Sequence, residues 1–124
     1  MATEQSISII ASNTILYCQN WQETVTFYRD YLNLAMTLNS DWFVEFHIAG
    51  TAHLSVADER RATIKSSRGA GITLTFRVES ADAAWQQLSN RGLSPGPIKD
   101  HPWGARVFYL YDPEGHRVEI WSPM

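Results

Sequence analysis

The sequence predicts an α+β fold: two βαβββ modules whose curved mixed sheet surrounds a cleft, with the helices on the outer face. Three observations predict it. One order of hydrophobic periods, strand-like then helical then strand-like again, occurs twice, about 60 residues apart. A charged stretch ending in Gly69-Ala70-Gly71 separates the two occurrences. The alternating runs also leave a second sheet face that mixes Tyr and Trp with a few polar groups, the make-up of a ligand cleft.

Each element has its own warrant. Residues 7–18 are rich in β-branched and aromatic side chains and read as a strand. Asn20 with Glu23 three positions on forms a capping-box pattern, and Trp21, Val25, Tyr28 and Leu32 share one helical face. Strands follow over 35–38, 42–48 and 52–57, separated by Asn39-Ser40-Asp41 and Ala49-Gly50-Thr51. Residues 58–71 read as the linker.

The second module opens on the alternating strand 72–78. Ser80 is placed to cap a helix with Ala81, Ala84, Trp85 and Leu88 on one stripe, and Gly92 suits the left-handed position that ends it. An irregular loop runs to Gly104, and strands cover 105–111 and 117–121. Asp112-Pro113-Glu114-Gly115 between them has type I turn chemistry. The expected boundaries are module one 7–57, linker 58–71 and module two 72–122, all within one domain over 1–124.

Composition excludes several classes. A chain of 124 residues can bury a core without disulfides, and Cys18 alone cannot form one within the chain; it reads as an inert buried thiol. The net charge of −3 argues against a nucleic-acid partner. No apolar run is long enough to span a bilayer, and residues 1–5 lack a leader pattern. A cytoplasmic location is the resulting expectation.

The alternation places Leu16, Cys18, Leu54, Val56, Leu74, Phe76, Val118 and Ile120 on the faces that the helices cover. The opposite faces carry Asn13, Ile15 and Tyr17, then His53 and Ser55, then Thr73 and Thr75, and finally Arg117, Glu119 and Trp121.

The sequence resembles the vicinal oxygen chelate superfamily of glyoxalase I, bleomycin-resistance proteins and extradiol dioxygenases. The resemblance rests on the stretch Asn13 to Trp21, on Phe27-Tyr28 and on Tyr31-Leu32-Asn33-Leu34. It rests further on residues 74–80, Arg91-Gly92, Pro102-Trp103-Gly104 and, most specifically, the closing stretch Tyr111 to Trp121. It implies paired modules, a cup-shaped cleft and a homodimer that often completes its clefts across the interface. In metal-dependent relatives the ligands come from positions that fall here on Asn13, His53, Thr73 and Glu119. His53 and Glu119 are good donors, but Asn and a neutral Thr hydroxyl are poor ones, so the implied metal site is incomplete.

Two functions stand open. One is a metal-free binder without cofactor, of the bleomycin-resistance type, sequestering an aromatic or apolar small molecule. Asn13, Tyr17, Trp42, Thr73, Trp103, Tyr109 and Trp121 would line its cleft. The other is a lyase or isomerase resembling glyoxalase I, with His53 and Glu119 as catalytic pair and ligands to Zn, Ni, Mn or Fe. Whether the chain is an enzyme stays undecided at this level. Arg106 is a candidate for an anionic ligand, and His47, His101 and His116 are expected to be solvated.

Overall fold

The computed structural model describes residues 5–124; Met1–Glu4, where most of the leader reading falls, lie outside them. The order is β1 (Ser12–Cys18), α1 (Trp21–Thr26), β2 (Met36–Asn39), β3 (Phe43–Ala49) and β4 (Ala52–Asp58), then β5 (Thr73–Arg77), α2 (Ala81–Asn90), β6 (Lys99–His101), β7 (Ala105–Tyr111) and β8 (Arg117–Pro123). Two four-stranded sheets result, in the orders β1-β4-β3-β2 and β5-β8-β7-β6. In each, the first strand runs parallel to the last and the remaining pairs are antiparallel. The modules are therefore equivalent, strand for strand.

The predicted apolar faces form the core. Leu16, Cys18, Leu54, Val56, Val118 and Ile120 are buried, and Leu74 and Phe76 pack against them. Removing that much apolar surface from water is the main stabilising term. Cys18 is buried, and desolvation pushes its thiol well above the ordinary range, which fits an inert thiol. Trp21 donates from its indole nitrogen to the Val56 carbonyl at 2.9 Å, and Trp85 to the Gly96 carbonyl at 2.8 Å, so a Trp ties each helix to its own module.

Several expectations need correction. The first helix is α-helical only to Thr26 and widens into a π-helical turn over Phe27–Tyr31, closed by Leu32 N–H donating to the Phe27 carbonyl. The extra residue per turn still leaves Val25 and Tyr28 buried, with Trp21 and Leu32 partly so. The Asn20 side chain does not cap that helix. The N–H groups of Gln19 and Asn20 donate instead to the two oxygens of Glu114, 2.8 Å each, from the other module. Ser80 caps α2 as predicted, accepting from Ala83 N–H, and Gly92 has φ +92.

The loop before β7 contains the short strand β6, which its Lys99-Asp100-His101 sequence does not announce. The linker is no loose tether. Ser66 donates to the Glu114 carboxylate, and Gly69 abuts Gly115 so closely that a Cβ would overlap its carbonyl. Asp112 accepts from the Tyr28 hydroxyl at 2.7 Å and lies 2.8 Å from His116 Nδ1. His116 is buried, not solvated, because the Asp112 turn folds its ring inward onto that carboxylate.

Candidate ligand-binding face

The registers assign each exposed position to a row across its sheet. On the first sheet Asn13, His53 and His47 form one row; Ile15, Ser55 and Glu45 the next; Tyr17, Ala57 and Phe43 the third. On the second sheet the rows are Thr73, Arg117 and Tyr111; Thr75, Glu119 and Tyr109; and Arg77, Trp121, Val107 and Lys99. Alternation sends all of these side chains away from the helices.

The first face mixes Ile15, Tyr17 and Phe43 with polar groups. Ser55 is buried and donates to Asn13 Oδ1 at 2.9 Å. His53 packs on His47 with ring centres 5.6 Å apart. Backbone carbonyls sit beside both rings, Thr51 O at 3.1 Å from His53 Nδ1 and Gly50 O at 2.9 Å from His47 Nε2. His47 is thus half-buried, where solvent was expected. Trp42 precedes β3 with its ring on Phe43, 5.4 Å between centres; it lies in the first module, away from the second sheet's aromatic rows.

The second face is aromatic and cationic. The Arg117 guanidinium lies 4.7 Å from the centre of the Tyr109 ring, and that of Arg77 lies 5.4 Å from the centre of Trp121. Trp103 meets Trp121 edge-on at 6.1 Å, and His101 meets Trp103 at 5.6 Å. At the heart of this face Thr75 donates to Glu119 Oε1 at 3.2 Å. Burial, then a hydrogen bond to Glu119, raises the Tyr109 hydroxyl above its ordinary range. A hollow of about 520 Å³ adjoins Tyr109, lined by Lys99, Val107, Tyr111 and the loop residues Gly96 and Pro97. That volume lies within the range of small-molecule pockets.

Not every candidate position meets its expected neighbours. His53 and Glu119 belong to different sheets, so within one chain they share no strand pair. The residue abreast of Glu119 is Thr75; Thr73 sits one row away and accepts from Arg117 Nε at 3.0 Å. Among the described residues no three His, Cys, Asp or Glu side chains converge as a metal-holding group. Asn13 and Thr73 offer a carboxamide and a neutral hydroxyl, poor donors to a divalent ion. Arg106 is ion-paired with Asp82 and Asp100, hence not free for an anion. Arg77 and Lys99 also belong to this face, and their alternation with Phe76 and Ile98 is the sequence signal for them.

Two βαβββ modules, each with one covered and one open sheet face, define the paired-module class that the resemblance implied. The chain belongs to the Glyoxalase/Bleomycin resistance protein/Dioxygenase superfamily, whose family model matches residues 10–120. No curated protein matches the sequence significantly. Among solved structures, a glyoxalase/bleomycin resistance protein/dioxygenase from Nocardioides is similar at 22% identity and TM-score 0.77, covering 98% of this chain and 87% of that one. A lactoylglutathione lyase from Agrobacterium tumefaciens is similar at 21% identity and TM-score 0.77, covering 94% and 95%. An antibiotic-binding protein from Streptomyces is similar at 20% identity and TM-score 0.79, covering 98% and 100%. At these identities the likeness concerns the fold.

Proposed function

We propose that the protein binds a small aromatic molecule, without a metal, on the open face of β5, β8 and β7. The observation that carries this reading is the Trp103–Trp121 ring pair on a face whose Tyr109 lines a pocket-sized hollow. Trp103 is 64% exposed, a large ring left in water by the single chain and available to stack on a planar ligand. The poor donors at Asn13, Thr73 and Thr75 support binding over metal-assisted lyase chemistry. Sequestration in the manner of an antibiotic-binding relative is the role this implies.

The working unit in this proposal is a homodimer. Ile7, Ile9 and Ile10 are 87%, 78% and 85% exposed in the segment before β1. Both β1 and β5 are sheet edges, with backbone groups open to a further strand. An apolar hollow of about 480 Å³ opens beside β5, lined by Leu32, Leu34, Ile48, Phe76 and Leu88. A second copy would cover these surfaces.

The test is thermal unfolding of chelator-treated protein against a panel of planar aromatic compounds, then against Zn, Ni, Mn and Fe. Saturation at a hundred times Kd adds about 2.7 kcal/mol, so a bound compound raises the midpoint by several degrees. A rise with aromatic compounds that Trp103→Ala abolishes supports the reading. A rise with a divalent ion alone, lost in His53→Ala or Glu119→Ala, would replace it with the metal-dependent one.

A further inference from the structure

We propose that the ligand of this face is a planar organic anion, an aromatic carboxylate gripped by Arg117 and Arg77. The inference rests on the binding role proposed above and adds the ligand's charge. The net charge of −3 taken alone favours a cation. The second sheet's open face shifts that sign locally: Arg77, Arg117 and Lys99 share its rows with the carboxylate of Glu119, and Glu79 lies beside Arg77 at its end.

The carboxylate is already served by the protein, because Thr75 donates to it and the Tyr109 hydroxyl adjoins it. The guanidiniums are not. The arginines in ion pairs among the described residues are Arg29, Arg60, Arg61 and Arg106. Arg117 spends only its Nε, on Thr73, and Arg77 has no side-chain hydrogen bond among the described residues. Both side chains are exposed. Each guanidinium lies over a ring, Tyr109 or Trp121, which offsets part of the cost of ordering it for a ligand. A guanidinium fork matches a carboxylate in two parallel hydrogen bonds, and the neighbouring Trp103 and Trp121 rings supply stacking for an attached ring system. Arg117 and Arg77 stand in the rows on either side of Glu119, so a cationic ligand on this face would meet a like charge on each side.

Calorimetric titration of the full chain with three compounds of one ring system separates the possibilities: naphthoate, neutral naphthalenemethanol and cationic naphthylmethylamine. Naphthoate is expected to bind at least about tenfold tighter than either, the scale of one charge-assisted hydrogen bond. Arg117→Gln and Arg77→Gln, checked for unchanged unfolding midpoints, should each reduce that preference, read as the ratio of naphthoate to alcohol affinity. Equal or tighter binding of the alcohol or amine overturns this inference and leaves the aromatic binding role standing. A preference for naphthoate that survives both substitutions also overturns it. Binding by none of the three overturns both this inference and the role beneath it.

Discussion

The Tyr28 hydroxyl donates to Asp112 Oδ2 at 2.7 Å, joining residues 84 positions apart and in different modules. Asp112 also accepts from the backbone N–H groups of Glu114 and His116 and adjoins His116 Nδ1. Both partners are buried, so a missing donor leaves a buried carboxylate underserved. Burial and the Asp112 charge together push the phenol well above its ordinary range, which keeps it a donor. Tyr28→Phe is expected to cost about 1–3 kcal/mol. Urea unfolding measures it; a loss below about 0.5 kcal/mol would show that this bond does not hold the modules together.

The contact between Gly69 and Gly115 makes a second demand. Both have positive φ, +80 and +102, and their backbones touch. Gly69→Ala adds a Cβ where the Gly115 carbonyl already stands, and strains its own backbone. Destabilisation of about 1–3 kcal/mol is expected, with Gly71→Ala as a control that shares the positive φ but has open space around it. Equal effects at both positions would reduce the argument to backbone conformation alone.

Asp58 gives a pH dependence. It is buried, and its hydrogen bonds from the Arg60 side chain hold its carboxyl below the usual carboxylate range. A depressed folded-state pKa stabilises the fold above the ordinary aspartate range. That stability is lost as pH falls through the lower, folded value. Asp58→Asn should therefore lower stability at neutral pH and flatten its fall on the acid side. Acid titrations of both proteins followed by circular dichroism test this; parallel curves would contradict it.

Exposed Trp103 and buried-end Trp85 should separate function from folding. Trp103→Ala is expected to change stability by no more than about 0.5 kcal/mol while weakening aromatic binding. Trp85→Phe, which removes the donor to Gly96, is expected to cost about 1 kcal/mol and leave binding intact. The reverse pattern would move the site away from the second sheet.

The proposed dimer predicts that replacing Ile7 and Ile9 together by Lys shifts the protein to monomer in light scattering. A wild type that is already monomeric at high concentration would remove the dimer from the account.

Much of this architecture was legible in the sequence. Strict alternation in residues 72–78 separated the covered from the open face of that strand, because a period of two admits one assignment once the apolar set is buried. Ser80 and Gly92 bounded α2 through local backbone chemistry. What stayed hidden depends on distant partners. Asn20 looks like a cap, but the α1 entrance is served by Glu114, 94 residues away. His116 looks solvated in a turn until Asp112 and Tyr28 enclose it. Within the candidate site, the family positions Asn13, His53, Thr73 and Glu119 could be named from the motifs. The stacking of Arg77 and Arg117 on rings of a neighbouring strand could not, since cross-strand partners follow from register rather than from spacing along one strand.

Mapping amide and indole NMR shifts during titration with naphthoate tests the central claim most directly. The account predicts that the largest changes fall on Arg77, Trp103, Tyr109, Arg117 and Trp121. Changes confined to Leu32, Ile48 and Leu88, around the hollow between the modules, would contradict it.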